Sequence, residues 1–366
     1  MNTEMYAVIK GTGSYIPTVI VKNEDFLSHV FYGPDGKIID KSNEETIEKF
    51  EGITGIKERR YVTDDLVTSD IGYFSALDAL DSSGIDRESL DYIIFAHNFG
   101  DVRADNKKSD FVPTLASREK HKLKIENPKT VAYDLPFGCP GWLQGVIQAD
   151  YYIKARDAKR VMVIGAETLS RISDPHDRDS MIYADGAGAT IFEVIKSKEP
   201  IGVISHAART DTKEHAYMLW MDKSYNPSYK GNELFLKMNG HQLYEYALRT
   251  VPLVVKESIE KSERVLNREI KLTDIKKIFL HQANEKMDEA ILKRLFRLYG
   301  LKEIPDYIMP MTISWLGNSS VATLPTLLDF ILKGKLNNHD LKSGDIVVFA
   351  SVGAGMNINS VVYRMP

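Results

Sequence analysis

Pro136-Phe137-Gly138-Cys139-Pro140-Gly141 holds the only cysteine of this 366-residue chain, in a tight turn between an extended run, Lys129 to Tyr133, and a helical stripe of Trp142, Val146, Ala149 and Ile153. A strand, a turn and an amphipathic helix in that order are the building unit of α/β sheets. The turn also sets the thiol at a helix N-terminus, where unpaired N–H groups and the helix dipole favour a thiolate and lower its pKa. Position alone does not make a nucleophile. A lone cysteine before a helix is more often inert, because reactivity needs partners as well as a dipole.

The same alternation runs outward from this turn. Short apolar runs rich in β-formers, Tyr92 to Ala96, Arg160 to Ile164, Ile278 to Leu280 and Ile346 to Ala350, are separated by helical patterns, which predicts an α/β fold. Three landmarks of the first half recur in order in the second. His97 after Ile94-Phe95-Ala96 is matched 184 residues on by His281 after Ile278-Phe279-Leu280. Cys139 is matched 179 residues on by Asn318 in Gly317-Asn318-Ser319, and Gly186-Ala187-Gly188, before the strand-like Thr190 to Ile195, is matched 167 residues on by Gly353-Ala354-Gly355. Slowly drifting offsets suit a duplicated fold with insertions. Lys196 to Pro200 breaks the pattern and divides the chain into halves 1–197 and 198–366. Residues 30–45 and 99–125 read as added loops.

Composition bounds the rest. With 43% hydrophobic and 27% charged residues and a net charge of −4, this is an ordinary globular composition. No basic surface with interleaved aromatics points to nucleic acid. No apolar stretch reaches the roughly 18 residues of a membrane span, and the N-terminus lacks a signal-peptide pattern, so the chain reads as cytoplasmic. One cysteine excludes an intrachain disulfide and any CxxC metal or redox motif.

Three further positions stand where chemistry is done. His281 lies at a strand's carboxyl end, where open α/β sheets bind ligands; a lone histidine there is more often a hydrogen-bonded core or rim residue. Asn318 precedes a helical stripe of Val321, Leu324, Leu328 and Ile331, a place where asparagine also serves as a plain N-cap. The glycines around Ala354 allow close backbone approach, so that its N–H can face a ligand oxygen, or they make a simple turn.

Together, Gly11-Thr12-Gly13-Ser14-Tyr15-Ile16-Pro17, Thr54-Gly55-Ile56-Lys57-Glu58-Arg59, Ser173 to Arg178, Asp185 to Ala189, His281-Gln282-Ala283-Asn284 and Gly317 to Ser320 resemble 3-oxoacyl-acyl carrier protein synthase III enzymes over nearly the whole chain. The resemblance implies a thiolase-like fold, two similar α/β halves packed as αβαβα layers in a homodimer, and no cofactor beyond acyl thioesters carried on coenzyme A or acyl carrier protein. It implies Cys139 as acyl-accepting nucleophile, His281 and Asn318 as the pair that promotes decarboxylation of a malonyl thioester, and the backbone N–H groups of Cys139 and Ala354 as the oxyanion hole. By the same resemblance Phe137, Met238, Ala283 and Met287 are expected along the substrate path, Arg178 at a nucleotide contact, Lys286 at a carrier-protein contact, and Val112 beside the partner subunit's acyl pocket.

Departures from the family pattern concern the substrate. Lys49 and Ile53 replace a tryptophan and an arginine that members using a coenzyme A primer commonly carry, which removes half of an adenine sandwich. His241 replaces an asparagine, and Val112 stands where phenylalanine is frequent, so a longer or bulkier acyl chain is expected unless the 99–111 loop fills the space. Lys286, with Lys293, Arg294 and Arg297, suits an acidic carrier protein or a merely solvated helix face. Three other readings stay open: a non-decarboxylative condensing enzyme, for which no motif supplies the glutamate base; a Cys-His-Asn hydrolase, against which the doubled architecture argues; and a noncatalytic partner subunit that shapes a pocket or binds a carrier protein, against which retention of all three polar residues argues.

Overall fold

The computed structural model describes residues 3–366. Strands β1 (Glu4–Tyr15), β2 (Tyr92–His97), β3 (Val131–Pro136), β4 (Arg160–Thr168) and β5 (Asp185–Ser197) form one sheet in the order β1-β5-β4-β2-β3. β2 runs parallel to β3 and β4, while β5 is antiparallel to β4 and β1. Strands β6 (Gly202–Thr210), β7 (Ile275–Leu280), β8 (Ile346–Gly353) and β9 (Asn357–Arg364) form a second sheet, β6-β9-β8-β7, with the same parallel and antiparallel pattern. The counterpart of β3 is not a regular strand there. Irregular chain takes its place, and the Ile278 N–H donates to the Ile308 carbonyl at 2.9 Å.

Helices α1 (Thr68–Ser83), α2 (Leu115–Lys122), α3 (Gly141–Lys154), α4 (Gly240–Leu266), α5 (Glu285–Leu298) and α6 (Thr323–Leu332) make the remaining layers. α1 and α2 cover the outer face of the first sheet through Ile71, Ala76, Leu115 and Ala116 against Ile93, Phe95 and Ile164. α4 and α5 cover the second through Val251, Val255, Ile291 and Leu295 against Ile278, Val348 and Val362. α3 and α6 lie between the sheets, where Trp142, Val146, Ile153, Leu324 and Leu328 share one core with Ile94, Val163, Phe349 and Val361. The result is the expected αβαβα stack. α6 is buried along nearly all of its length, as its mostly apolar sequence requires, and its one charge, Asp329, is met by Thr12, Ser14 and Lys333.

Glycines let the middle layer sit this close. A Cβ on Gly165 would fall 2.5 Å from the Val321 carbonyl oxygen, and one on Gly188 would fall 2.7 Å from Pro325 Cβ. Gly186-Ala187-Gly188 therefore lies inside β5, which begins at Asp185, rather than ahead of the strand as read from sequence. In the second half Gly353 ends β8 and Ala354 to Met356 form a single turn before β9. The reading of 99–125 as loop is corrected as well: it contains a two-residue hairpin, Asp101–Val102 with Ser109–Asp110, and helix α2. Arg118 of α2 binds Asp101 at 2.6 Å and Asp110 at 2.8 Å, tying the insertion together.

Candidate active site

The duplicated topology brings the two halves' landmarks to one place. Cys139 follows β3 and opens α3; Asn318 precedes the turn Ser320–Ala322 that opens α6; His281 follows β7, its N–H continuing the ladder to the Ala350 carbonyl at 2.9 Å. All three line one cavity of about 370 Å³, with Phe137, Met238, Ala283, Met287 and Ala354 in its wall. A hairpin absent from the sequence-based reading, Leu219–Asp222 with Phe235–Met238, supplies the apolar side through Leu219, Trp220, Met221 and Leu236. Among the described residues, no carboxylate, lysine or arginine lines the cavity.

Three expected contact residues lie outside it. Arg178 is exposed, 4.0 Å from Asp179; Lys286 is exposed on α5; Val112 is 86% exposed at the surface. The segment bearing Arg178 is nonetheless held firmly. Lys237 is fully buried, its Nζ 2.5 Å from Asp174 and 3.3 Å from Asp177, with the Tyr225 ring 3.4 Å away, so Ser173 to Arg178 is pinned to the hairpin wall.

The donors of the expected oxyanion hole are close because both turns lack side chains at the contact. A Cβ on Gly138, whose φ is +69°, would lie 2.9 Å from the Ala354 nitrogen, and one on Gly353 would lie 2.5 Å from the Cys139 nitrogen. The backbone stretches carrying the Cys139 and Ala354 N–H groups thus touch, and any larger residue at 353 would force them apart.

Local bonds set the polarity of the two side-chain donors. The Asn318 Oδ1 accepts the Ser320 N–H at 2.9 Å, which leaves its Nδ2 hydrogens to the cavity. Its backbone is locked across the halves, Asn318 N–H to the Ile182 carbonyl at 3.0 Å and Ala184 N–H to the Asn318 carbonyl at 2.8 Å. His281 Nδ1 is buried without a partner. An unpaired acceptor there costs less than an unpaired N–H, so the proton belongs on Nε2. Burial lowers the His281 pKa to about 4, leaving a neutral imidazole at physiological pH. Its counterpart in the first half, His97, has both nitrogens occupied, Nε2 by Asp134 and Nδ1 by the Gly100 N–H, each at 3.0 Å. Only the second-half histidine lines the cavity.

The thiol departs from the expectation set by its helix. Burial pushes Cys139 up to about 11; the Ser320 hydroxyl, donating to Sγ at 3.3 Å, lowers it, and the charge of Glu167 raises it further. Desolvation disfavours the sulfur anion and is the largest of these influences. The rate of Cys139 alkylation by iodoacetamide should therefore rise about tenfold per unit from about pH 7 to about pH 10, since the thiolate is the nucleophile. A plateau near pH 8 would restore the helix-lowered thiol.

Asn98, Glu167 and Ser320 were not picked out from sequence. Asn98 and Ser320 did carry a signal: one follows His97 at a strand's carboxyl end, the other completes Gly317-Asn318-Ser319-Ser320. Glu167 carries the same signal as Asn98, standing near the carboxyl end of β4 after the apolar run Val161 to Ala166.

Two copies of one sheet topology around shared middle helices, with a cysteine, a histidine and an asparagine meeting at the strand ends, define an acyltransferase of the thiolase-like fold. Residues 133–212 match the 3-oxoacyl-[acyl-carrier-protein] synthase III family and residues 266–365 match its C-terminal part. The chain is 30% identical over 363 residues to beta-ketoacyl-[acyl-carrier-protein] synthase III 1 of Vibrio parahaemolyticus, covering 98% of this chain and 100% of that one. It is 29% identical over 368 residues to the synthase III of Xanthomonas euvesicatoria, covering 100% of both. The crystal structure of 3-oxoacyl-[acyl-carrier-protein] synthase III from Aquifex aeolicus superposes with a TM-score of 0.78 at 27% identity, covering 98% of this chain and 99% of that one. The chain belongs to the 3-oxoacyl-[acyl-carrier-protein] synthase III family and is a condensing acyltransferase of fatty-acid synthesis.

Proposed function

We propose that the protein performs a decarboxylative Claisen condensation between an acyl thioester and malonyl-acyl carrier protein through an acyl-Cys139 intermediate. The observation that carries this reading is the single cavity joining Cys139, His281, Asn318 and Ala354 with no charged side chain in its wall. Cys139 Sγ, losing its proton, attacks the thioester carbonyl; the oxyanion is held by the Cys139 and Ala354 N–H groups, donors worth about 2.7–4 kcal/mol each when lost. The carrier thiolate leaves and takes up the proton, giving acyl-Cys139. Malonyl thioester then loses carbon dioxide, and the enolate oxygen is held by His281 Nε2–H and the Asn318 Nδ2 amide. The enolate carbon attacks the acyl-Cys139 carbonyl, and the Cys139 thiolate is expelled with release of the 3-oxoacyl thioester.

Neutral donors suit the decarboxylation, because a cation in the wall would hold the malonyl carboxylate and oppose its loss. A non-decarboxylative condensation needs a carboxylate base. Glu167, whose charge reaches Cys139, is engaged with Asn98 and does not line the cavity. The apolar wall of Phe137, Met238 and Met287 keeps water from the acyl-enzyme, which disfavours a hydrolase.

The acyl donor is read as a carrier-protein thioester in preference to coenzyme A. Lys49 and Ile53 stand on the helix Asn43–Thr54, beside a groove lined by Glu44, Glu48, Glu51 and Glu285 with one cation, Lys57, and that excess of negative charge disfavours a phosphate-rich nucleotide. A homodimer is supported by the first sheet's free edge: β3 leaves Val131 exposed, and Val112 in the insertion is exposed too. Incubation with matched acyl-carrier-protein and acyl-coenzyme A donors, read by intact mass and followed by malonyl-carrier protein with product identification, tests the scheme. The expected result is one acyl adduct, formed faster from the carrier protein, and a 3-oxoacyl product on malonyl addition; no adduct from any donor on folded protein overturns it.

A further inference from the structure

The Cys139 sulfur is contacted by a hydroxyl whose orientation is dictated from further inside the fold. One oxygen of the buried Glu167, Oε2, accepts two bonds from Asn98: the backbone N–H at 2.9 Å and an Nδ2 hydrogen at 2.6 Å. An oxygen accepting two N–H groups carries no proton, so the Asn98 amide nitrogen is fixed facing it. The second Nδ2 hydrogen then points to Ser320 Oγ, 3.2 Å away. Ser320 Oγ, already accepting from Asn98, has one proton to give, and Cys139 Sγ lies 3.3 Å off. The polarity of the whole chain follows from the donor inventory of each group.

We propose that Ser320 is a catalytic residue of the condensation, its hydroxyl proton directed onto Cys139 Sγ by Asn98 and Glu167 so that it stabilises the thiolate that attacks the donor and is later expelled. The proposal rests on Cys139 being the acyl acceptor. Two more features of Ser320 agree with a constrained role. Its φ is +53°, a left-handed conformation that side chains other than asparagine and aspartate seldom adopt, and it is buried at 3% exposure. The same residue's N–H holds Asn318 Oδ1, so the nucleophile and a decarboxylation donor are positioned by one serine, the first through its side chain and the second through its backbone. Glu167 contributes by orientation only, since its own charge opposes the thiolate.

Cys139 is the sole cysteine, so alkylation reads its thiol without background. In Ser320→Gly, which keeps the backbone N–H and tolerates the positive φ, the thiolate loses a hydrogen bond to charge. The alkylation rate at pH 8 should fall about tenfold, by the same factor with iodoacetamide and with the bulkier N-ethylmaleimide, and by a constant factor across about pH 7–10. Ser320→Ala should behave alike and serves if the glycine variant is unstable. Asn98→Asp turns the donor facing Ser320 into an acceptor that draws the hydroxyl proton away, so it should slow alkylation in the wild-type background more than in Ser320→Gly. An unchanged rate in both Ser320 variants overturns the proposal, as does a loss confined to the bulkier reagent. An Asn98→Asp effect of equal size in the two backgrounds overturns the directing role of Asn98. Alkylation requires no acyl transfer, so these outcomes are separate from failure of the wild-type protein to form an acyl adduct, which would overturn the condensation itself.

Discussion

Cys139→Ala should abolish formation of the 3-oxoacyl product, lowering the turnover by at least about 10⁴-fold, and should leave no acyl adduct in the intact mass spectrum. The size follows from the loss of a bond-forming atom: no other cysteine exists to take its place, and Ser320, the adjacent hydroxyl, is bonded to the Asn98 amide and to Cys139 Sγ rather than to a base that would make it a nucleophile. The fold should tolerate the change. Cys139 sits in a turn outside both sheets and keeps some accessible surface, so the cavity left by one sulfur should cost about 1–2 kcal/mol and lower the melting temperature by only a few degrees. The decarboxylation donors do not involve the thiol. Malonyl thioester should therefore still lose carbon dioxide slowly in the variant, the enolate being quenched by a proton for want of an acyl-enzyme to attack. Product formation within tenfold of wild type would remove Cys139 from the mechanism. Retained condensation with no adduct would require direct attack on the donor.

Much of this arrangement is legible in the chain because the duplicated topology repeats its chemistry-bearing positions. His97 and His281 end equivalent strands, and Cys139 and Asn318 precede equivalent middle helices; a spacing that drifts slowly is all that sequence needs to show to bring them to one face. Contacts between the halves are another matter. Ser320 meets Cys139 across 181 positions and Asn98 across 222, and no local pattern predicts such a closure. α2 was hidden for a different reason. Its Arg118-Glu119-Lys120 segment reads as a solvated loop, whereas Arg118 pairs with Asp101 and Asp110 and Glu119 is fully buried on the inner face of the helix. Helix polarity, which favours the Cys139 thiolate, can be read from sequence; the burial that pushes its pKa up cannot.

His281→Ala should separate the two half-reactions. Acylation of Cys139 uses backbone donors and should persist within a few-fold of wild type, whereas decarboxylation loses one of two enolate donors and should slow by about 10²–10³. Acyl-enzyme should then accumulate when malonyl-carrier protein is added, which intact mass would show directly. The pH dependence discriminates further. With its pKa lowered to about 4 by burial, His281 is neutral above that value and becomes charged only as pH falls through it, so its contribution to decarboxylation should be flat from about pH 5 to about pH 8. A histidine acting as base or as imidazolium with an ordinary pKa would instead place an inflection near about 6.5. His281→Gln offers the complementary test. It returns a neutral N–H donor without a titratable ring, and partial rescue over alanine is the outcome a donor role requires; a glutamine variant as slow as alanine, with an inflection near neutrality in the wild type, would make proton transfer the function of His281. The neutral form is also what the surroundings allow, since Nδ1 is buried without a partner and a second proton there would leave an imidazolium with no counterion in the cavity wall.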